Sequence, residues 1–144
     1  MTTQEIQEQI IEDFSIFSDW LEKYDFLIEQ SKSLPIIDPK YKTTNYIING
    51  CQSRVWVNAE LKDDGLIYFS ADSDAIITKG IIALLIKVMD GRSPEEIINI
   101  DLFFIDAIGL KENLSPTRSN GLLSMIKQMK MYALAYKAKI NSEQ

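Results

Sequence analysis

Apolar residues recur every three or four positions from Phe14 through Phe17, Leu21, Tyr24 and Leu27 to Ile28, with Asp19, Glu22, Lys23 and Asp25 between them. That spacing predicts one amphipathic helix. Ile6, Ile10 and Ile11 extend the pattern by a turn or two toward the start. It stops near Ser33-Leu34-Pro35, and Pro35 and Pro39 predict a loop, because proline lacks a backbone donor and restricts the residue before it. From Tyr46 the period shortens. Val55, Val57, Ala59 and Leu61 alternate with Arg54, Trp56, Asn58 and Glu60, which predicts a strand with one apolar face, and Trp56 implies partial cover on the other. Asp63-Asp64-Gly65 is a hairpin-turn signal, and Leu66-Ile67-Tyr68-Phe69 reads as the returning strand. Tyr46-Ile47-Ile48 supplies a third, giving an antiparallel sheet of about three strands.

The stretch Ala75 to Met89 is apolar almost all round, apart from Thr78, Lys79 and Lys87, and predicts a helix near the centre of the fold. Asp72-Ser73-Asp74 offers its N-caps. Ser93-Pro94-Glu95-Glu96 has a capping-box pattern with proline at the first helical position, and Ser115-Pro116 repeats the cap-plus-proline start. Leu122, Met125, Ile126, Met129, Tyr132, Ala133 and Tyr136 then line one face of a long terminal helix. Its lysines, Lys127, Lys130, Lys137 and Lys139, lie mostly toward the C-terminal end, where they suit the helix dipole. Helix, strands, helices is the order of an α+β fold, a small antiparallel sheet covered by helices. No repeat, low-complexity tract or linker interrupts residues 1–144, which predicts a single domain.

Composition narrows the chemistry. The 144 residues include 15 Lys and Arg, 21 Asp and Glu and no histidine, for a net charge of -6. Without histidine there is no Ser-His-Asp or Cys-His pair, no His-ligated metal and no histidine base within the chain. With one cysteine, Cys51, there is no intrachain disulfide, CxxC pair or four-cysteine metal site. The acidic balance argues against a nucleic-acid partner, which would need Lys and Arg to neutralise phosphates. The start, Met1 to Glu8, lacks the features of a signal or transit peptide. The longest apolar run, Ile81 to Ile86, falls short of the roughly 20 residues that span a bilayer. The expectation is a soluble cytoplasmic chain with no membrane association, whose thiol stays free.

Among the remaining side chains, the Cys51 thiolate is the competent nucleophile at neutral pH. Ile48-Asn49-Gly50-Cys51-Gln52-Ser53 lies between strand-like runs, so the cysteine is expected on a loop where Gly50 permits close backbone approach. The alternative is a buried cysteine acting as a small apolar group. Asp72 and Asp74 read first as caps and second as a carboxylate pair. Arg118, in the first turn of the last helix where the dipole favours acids, is a candidate to pair with Asp72, Asp74 or an anion, or to lower the pKa of a nearby thiol, the alternative being an ordinary solvated surface arginine. Met125 and Met129 read as core packing, and the six glycines form no nucleotide-binding motif.

Gly50-Cys51-Gln52-Ser53-Arg54-Val55-Trp56 resembles the SufE family of cysteine desulfuration proteins. Phe69-Ser70-Ala71-Asp72-Ser73-Asp74-Ala75 with Lys79-Gly80 is similar to the family's central segment, and Leu114-Ser115-Pro116-Thr117-Arg118-Ser119-Asn120-Gly121-Leu122 to its C-terminal one. Ser31 departs from the glycine that relatives often carry at the end of the early helix. The resemblance implies the fold shared with U-type scaffolds, and a sulfur acceptor for a PLP-dependent, SufS-type cysteine desulfurase, which it stimulates. PLP would sit on that partner, with no cofactor or metal in this chain and no independent turnover. Cys51 would take persulfide sulfur and pass it to a SufB-type scaffold for iron-sulfur assembly. Gly50, Gln52 and Ser53 would shape a loop tucked in at rest, while Asp74 and Arg118 would lie near it and the partner surface. A homodimer is compatible with the sequence. The rival from another class is a non-catalytic interaction module with a structural cysteine; a U-type scaffold needs more ligands than one cysteine provides.

Overall fold

Capping side chains set the first two turns of the chain's path. In the computed structural model, which describes residues 1–51 and 53–143, Thr2 caps helix α1 (Thr3–Ser15) and closes a reciprocal capping box with Glu5. The single helix predicted from Phe14 to Ile28 is two helices. Asp19 accepts a hydrogen bond from the Glu22 backbone N–H at 2.9 Å and starts α2 (Trp20–Gln30) as its own unit. The break lets the pair fold back, with Phe26 packed edge-on to Phe14 at 5.1 Å between centroids and tilted against Phe17 at 5.2 Å. It also leaves Leu21, expected on the apolar face, 76% exposed. Ser31 keeps right-handed helical backbone as α2 tightens into a 3-10 turn over Ser31–Ser33, so that end requires no glycine.

Strands β1 (Val55–Leu61) and β2 (Ile67–Ser73) pair antiparallel, from Val55 opposite Ser73 to Leu61 opposite Ile67. Gly65, at φ +79°, makes the turn between them. The sheet has two strands among the described residues, not three. Thr44–Tyr46 forms a 3-10 turn, and only a short stretch joins β1: Ile47 bridges to Trp56, and the Ile48 N–H donates to the Val55 carbonyl at 2.8 Å. Further along that edge, the hydroxyls of Tyr132 and Tyr136 donate to the Val57 and Ala59 carbonyls at 2.8 and 2.7 Å. Side chains of the last helix thus satisfy edge groups that a third strand would have paired.

Helix α3 (Ile76–Met89) is the centre of the core, with Ile81, Ile82, Leu85, Val88 and Met89 almost fully buried. Asp72, Ser73 and Asp74 do not cap it. The strand runs on through Ser73, and the N-cap position falls on Ala75, which makes no side-chain capping bond. Helices α1, α2 and the long α6 (Pro116–Glu143) pack on α3, while α4 (Pro94–Asn99), capped by Ser93 as its sequence indicated, packs on α6 and the short α5 (Phe104–Ala107) on α1. The Ser115 hydroxyl accepts the Arg118 N–H at the start of α6. Leu122, Met125, Met129 and Ala133 form its buried face, so the two methionines are core residues. Among the described residues no helix is long and apolar enough to cross a membrane.

Candidate functional site

Cys51 follows a tight turn that only glycine fits comfortably. Gly50 has φ +91°, and a Cβ there would fall 2.6 Å from the Ser124 hydroxyl of α6. The turn lays Cys51 against the second turn of α6, at Gly121. A side chain on Gly121 would put its Cβ 3.3 Å from the cysteine sulfur, so the glycine on the helix makes room for the Cys51 side chain. The half-buried thiol donates to the Gly121 carbonyl, with Sγ to oxygen at 3.7 Å. Burial pushes the thiol pKa above its ordinary value. The resting site therefore holds a protonated, poorly nucleophilic sulfur.

The sulfur faces a cavity bounded by Ser53 on the loop, Thr78 and Ile81 on α3, and Thr117, Arg118 and Met125 on α6. Its free volume of about 10 Å³ is at the lower limit for one water. No substrate enters such a space while the loop is seated. Gly50 supplies the positive φ immediately before the cysteine.

The structure places Cys51, Ser53 and Arg118 around one cavity, with Gly50 next to the cysteine in the chain. Asp74 acts one step away. Its Oδ1 accepts the Arg54 N–H at 3.0 Å, while the Ser73 hydroxyl donates to the Arg54 carbonyl at 2.8 Å, so the two residues clamp the base of the cysteine loop. Asp72 is drawn elsewhere, to Lys42 at 2.9 Å and Lys79 at 3.3 Å. Partial burial opposes its ionisation, but hydrogen bonds from Lys42, the Ser73 N–H and Lys79 overcome that and hold its carboxyl below the usual range. Arg118 is exposed and pairs with neither aspartate among the described residues. The thiol, moreover, is shifted up by burial rather than down by the guanidinium. Gln52, the remaining loop residue of interest, lies outside the described residues.

Gly121 and Thr78 are the site residues that pattern reading passed over. A glycine inside a long helix signals close packing. Thr78, only 5% exposed, is the lone hydroxyl in a mostly apolar stretch.

Comparisons with known proteins bear on the family and the fold. A family model named SufE, described as an Fe-S metabolism associated domain, matches residues 8–133. The chain is 38% identical over 132 residues to "SufE-like protein 1, chloroplastic/mitochondrial" of Arabidopsis thaliana, covering 92% of this chain but only 36% of that longer protein. It is 39% identical to an uncharacterized SufE-like protein of Rhizobium etli, over 85% of this chain and 86% of the relative. A similar protein of Rhizobium meliloti is 37% identical, over 88% and 93%. The solution structure of a hypothetical protein from Thermus thermophilus superposes with a TM-score of 0.73 at 22% identity, over 90% of this chain and 94% of that one, and shares the fold. With a seated cysteine loop at its centre and a family match spanning nearly all of its length, the chain belongs to the SufE family.

Proposed function

We propose that this chain is the sulfur acceptor of a PLP-dependent cysteine desulfurase of the SufS type, which it stimulates. Cys51 carries the sulfur to a SufB-type scaffold for iron-sulfur cluster assembly. The observation that supports it most is the cysteine seated between two glycines on a loop, within the residues that the family model matches. In the transfer step the Cys51 thiolate attacks the outer sulfur of a persulfide on the desulfurase, Cys-S-SH. The S-S bond breaks, the desulfurase cysteine leaves as thiolate, and Cys51 becomes Cys-S-SH, with no external oxidant or reductant consumed. No second cysteine is present to resolve the loaded sulfur into an internal disulfide. The chain itself uses no cofactor, and PLP belongs to the desulfurase.

The test is alanine formation from cysteine by a SufS-type desulfurase as this chain is added. The rate is expected to rise and saturate with chain concentration; a flat titration, with the same enzyme responding to a known acceptor, would count against the proposal. Arg118 has a narrower role, stabilising the persulfide anion at the rim once the loop has left its seat. Its place beside the cavity, without an ion-pair partner among the described residues, supports that role. Arg118→Ala is expected to slow sulfur transfer about tenfold, the loss of one charge-assisted hydrogen bond, and an unchanged rate and thiol pKa would remove the role.

A further inference from the structure

Cys51 sits where a neutral sulfur is accommodated and an anion is not. Its S–H is directed at the Gly121 carbonyl oxygen, 3.7 Å away in α6. Deprotonation removes the donor and leaves two electron-rich atoms facing each other. The surrounding groups give little relief. Among the described residues none of the hydroxyls that line the cavity, Ser53 on the loop, Thr78 on α3 and Thr117 on α6, donates to the sulfur, and the one charged side chain there, Arg118 of α6, is exposed to solvent. Space points the same way, because about 10 Å³ is free and an added sulfur atom is larger than the single water such a volume admits. A persulfide is a stronger acid than its parent thiol and is an anion at neutral pH, so loading changes both charge and size against the seat.

Resting on the reading of Cys51 as a sulfur carrier, we propose that Gly121 is a positioning residue that distinguishes the unloaded from the loaded carrier. Its carbonyl holds the neutral thiol against α6 and rejects the anionic persulfide, so loading itself swings the cysteine loop outward. An empty carrier then hides its thiol, and a full one presents its outer sulfur to the next acceptor. Burial raises the thiol pKa in the seated state, so seating is fully present below the pKa of the open-loop thiol and is lost as pH rises through the seated value.

Hydrogen exchange of the backbone amides around residues 48–53 tests this in the full chain. Cys51→Asp puts a fixed anion at the sulfur position without any desulfurase, and Cys51→Ser keeps a neutral donor. At pH 7 the serine variant is expected to exchange as slowly as the reduced wild type, and the aspartate variant at least tenfold faster, with α3 unchanged in both. Wild type loaded with inorganic polysulfide is expected to join the fast class and to return on reduction; it decides the matter should Cys51→Asp loosen the whole fold. Protection of the wild-type loop relative to Cys51→Ser should fall as pH rises above the thiol range. Gly121→Val, which fills the seat, should open the loop even when reduced. A loaded loop as protected as the empty one, or a Gly121→Val loop as protected as wild type, overturns the proposal. Opening in Cys51→Asp together with no sulfur uptake from any desulfurase would instead remove the carrier reading while leaving the charge-sensitive seat in place.

Discussion

Cys51→Ser is expected to return desulfurase turnover to its unstimulated rate while leaving the fold intact. The hydroxyl can still donate toward the Gly121 carbonyl, and it is smaller than the thiol it replaces, so the seat imposes no strain. What it cannot do is attack a persulfide at neutral pH or retain sulfur in an exchangeable bond. The loss is expected to be complete, because no second cysteine exists to substitute. Added to a mixture already stimulated by wild type, the variant should compete for the desulfurase and lower the rate. Retained stimulation by Cys51→Ser would favour the interaction module with a structural cysteine.

Gly80→Ala should be the most damaging single-methyl change in the scaffold. A Cβ at this position would lie 2.2 Å from the Leu27 carbonyl oxygen and 2.8 Å from its carbon, where α3 crosses α2. The obstacle is backbone, so no rotamer change relieves it. Overpacking of this kind costs about 3 kcal/mol or more, against about 1 kcal/mol gained from alanine's better helix propensity. A net loss of about 2 kcal/mol lowers the melting temperature of a chain this size by about 6 °C. Gly65→Ala is the comparison. Its glycine is at φ +79° with nothing within 4 Å of the added atom, so backbone strain of about 1–2 kcal/mol is the whole cost. Thermal unfolding of the two variants gives the order directly. A Gly80→Ala protein more stable than wild type, as propensity alone would have it, would contradict the close helix contact.

The elements with strong local signals were readable from the chain. The β1 alternation, the Asp63-Asp64-Gly65 turn, the Ser93 cap and the apolar α3 all appear where the pattern puts them. Errors arose where one signal overrode another. The hydrophobic spacing from Phe14 to Ile28 ran straight across Asp19, yet Asp19 with Glu22 three residues later is itself a helix-start pattern, and the cap prevailed. Asp72, Ser73 and Asp74 looked like caps because they precede a helix. Their side chains instead serve contacts distant in sequence, to Lys42, Lys79 and Arg54, which local pattern cannot reveal. The missing third strand has the same cause, since Tyr132 and Tyr136 lie about 75 residues beyond the carbonyls they occupy. At the site, Cys51 and Gly50 were legible from chemistry and conformation, and Arg118 from its poor fit to the helix dipole. The seat on Gly121 was not, because it depends on a helix and a loop meeting in space.

Intact-protein mass spectrometry tests the central claim most directly. The purified, reduced chain is mixed with a cysteine desulfurase and free cysteine, with Cys51→Ser in parallel. Sulfur carriage requires a gain of one sulfur atom on the wild type, absent from the variant and reversed by reductant. No gain on the wild type, with the desulfurase active on a known acceptor, or an equal gain on Cys51→Ser, would contradict it.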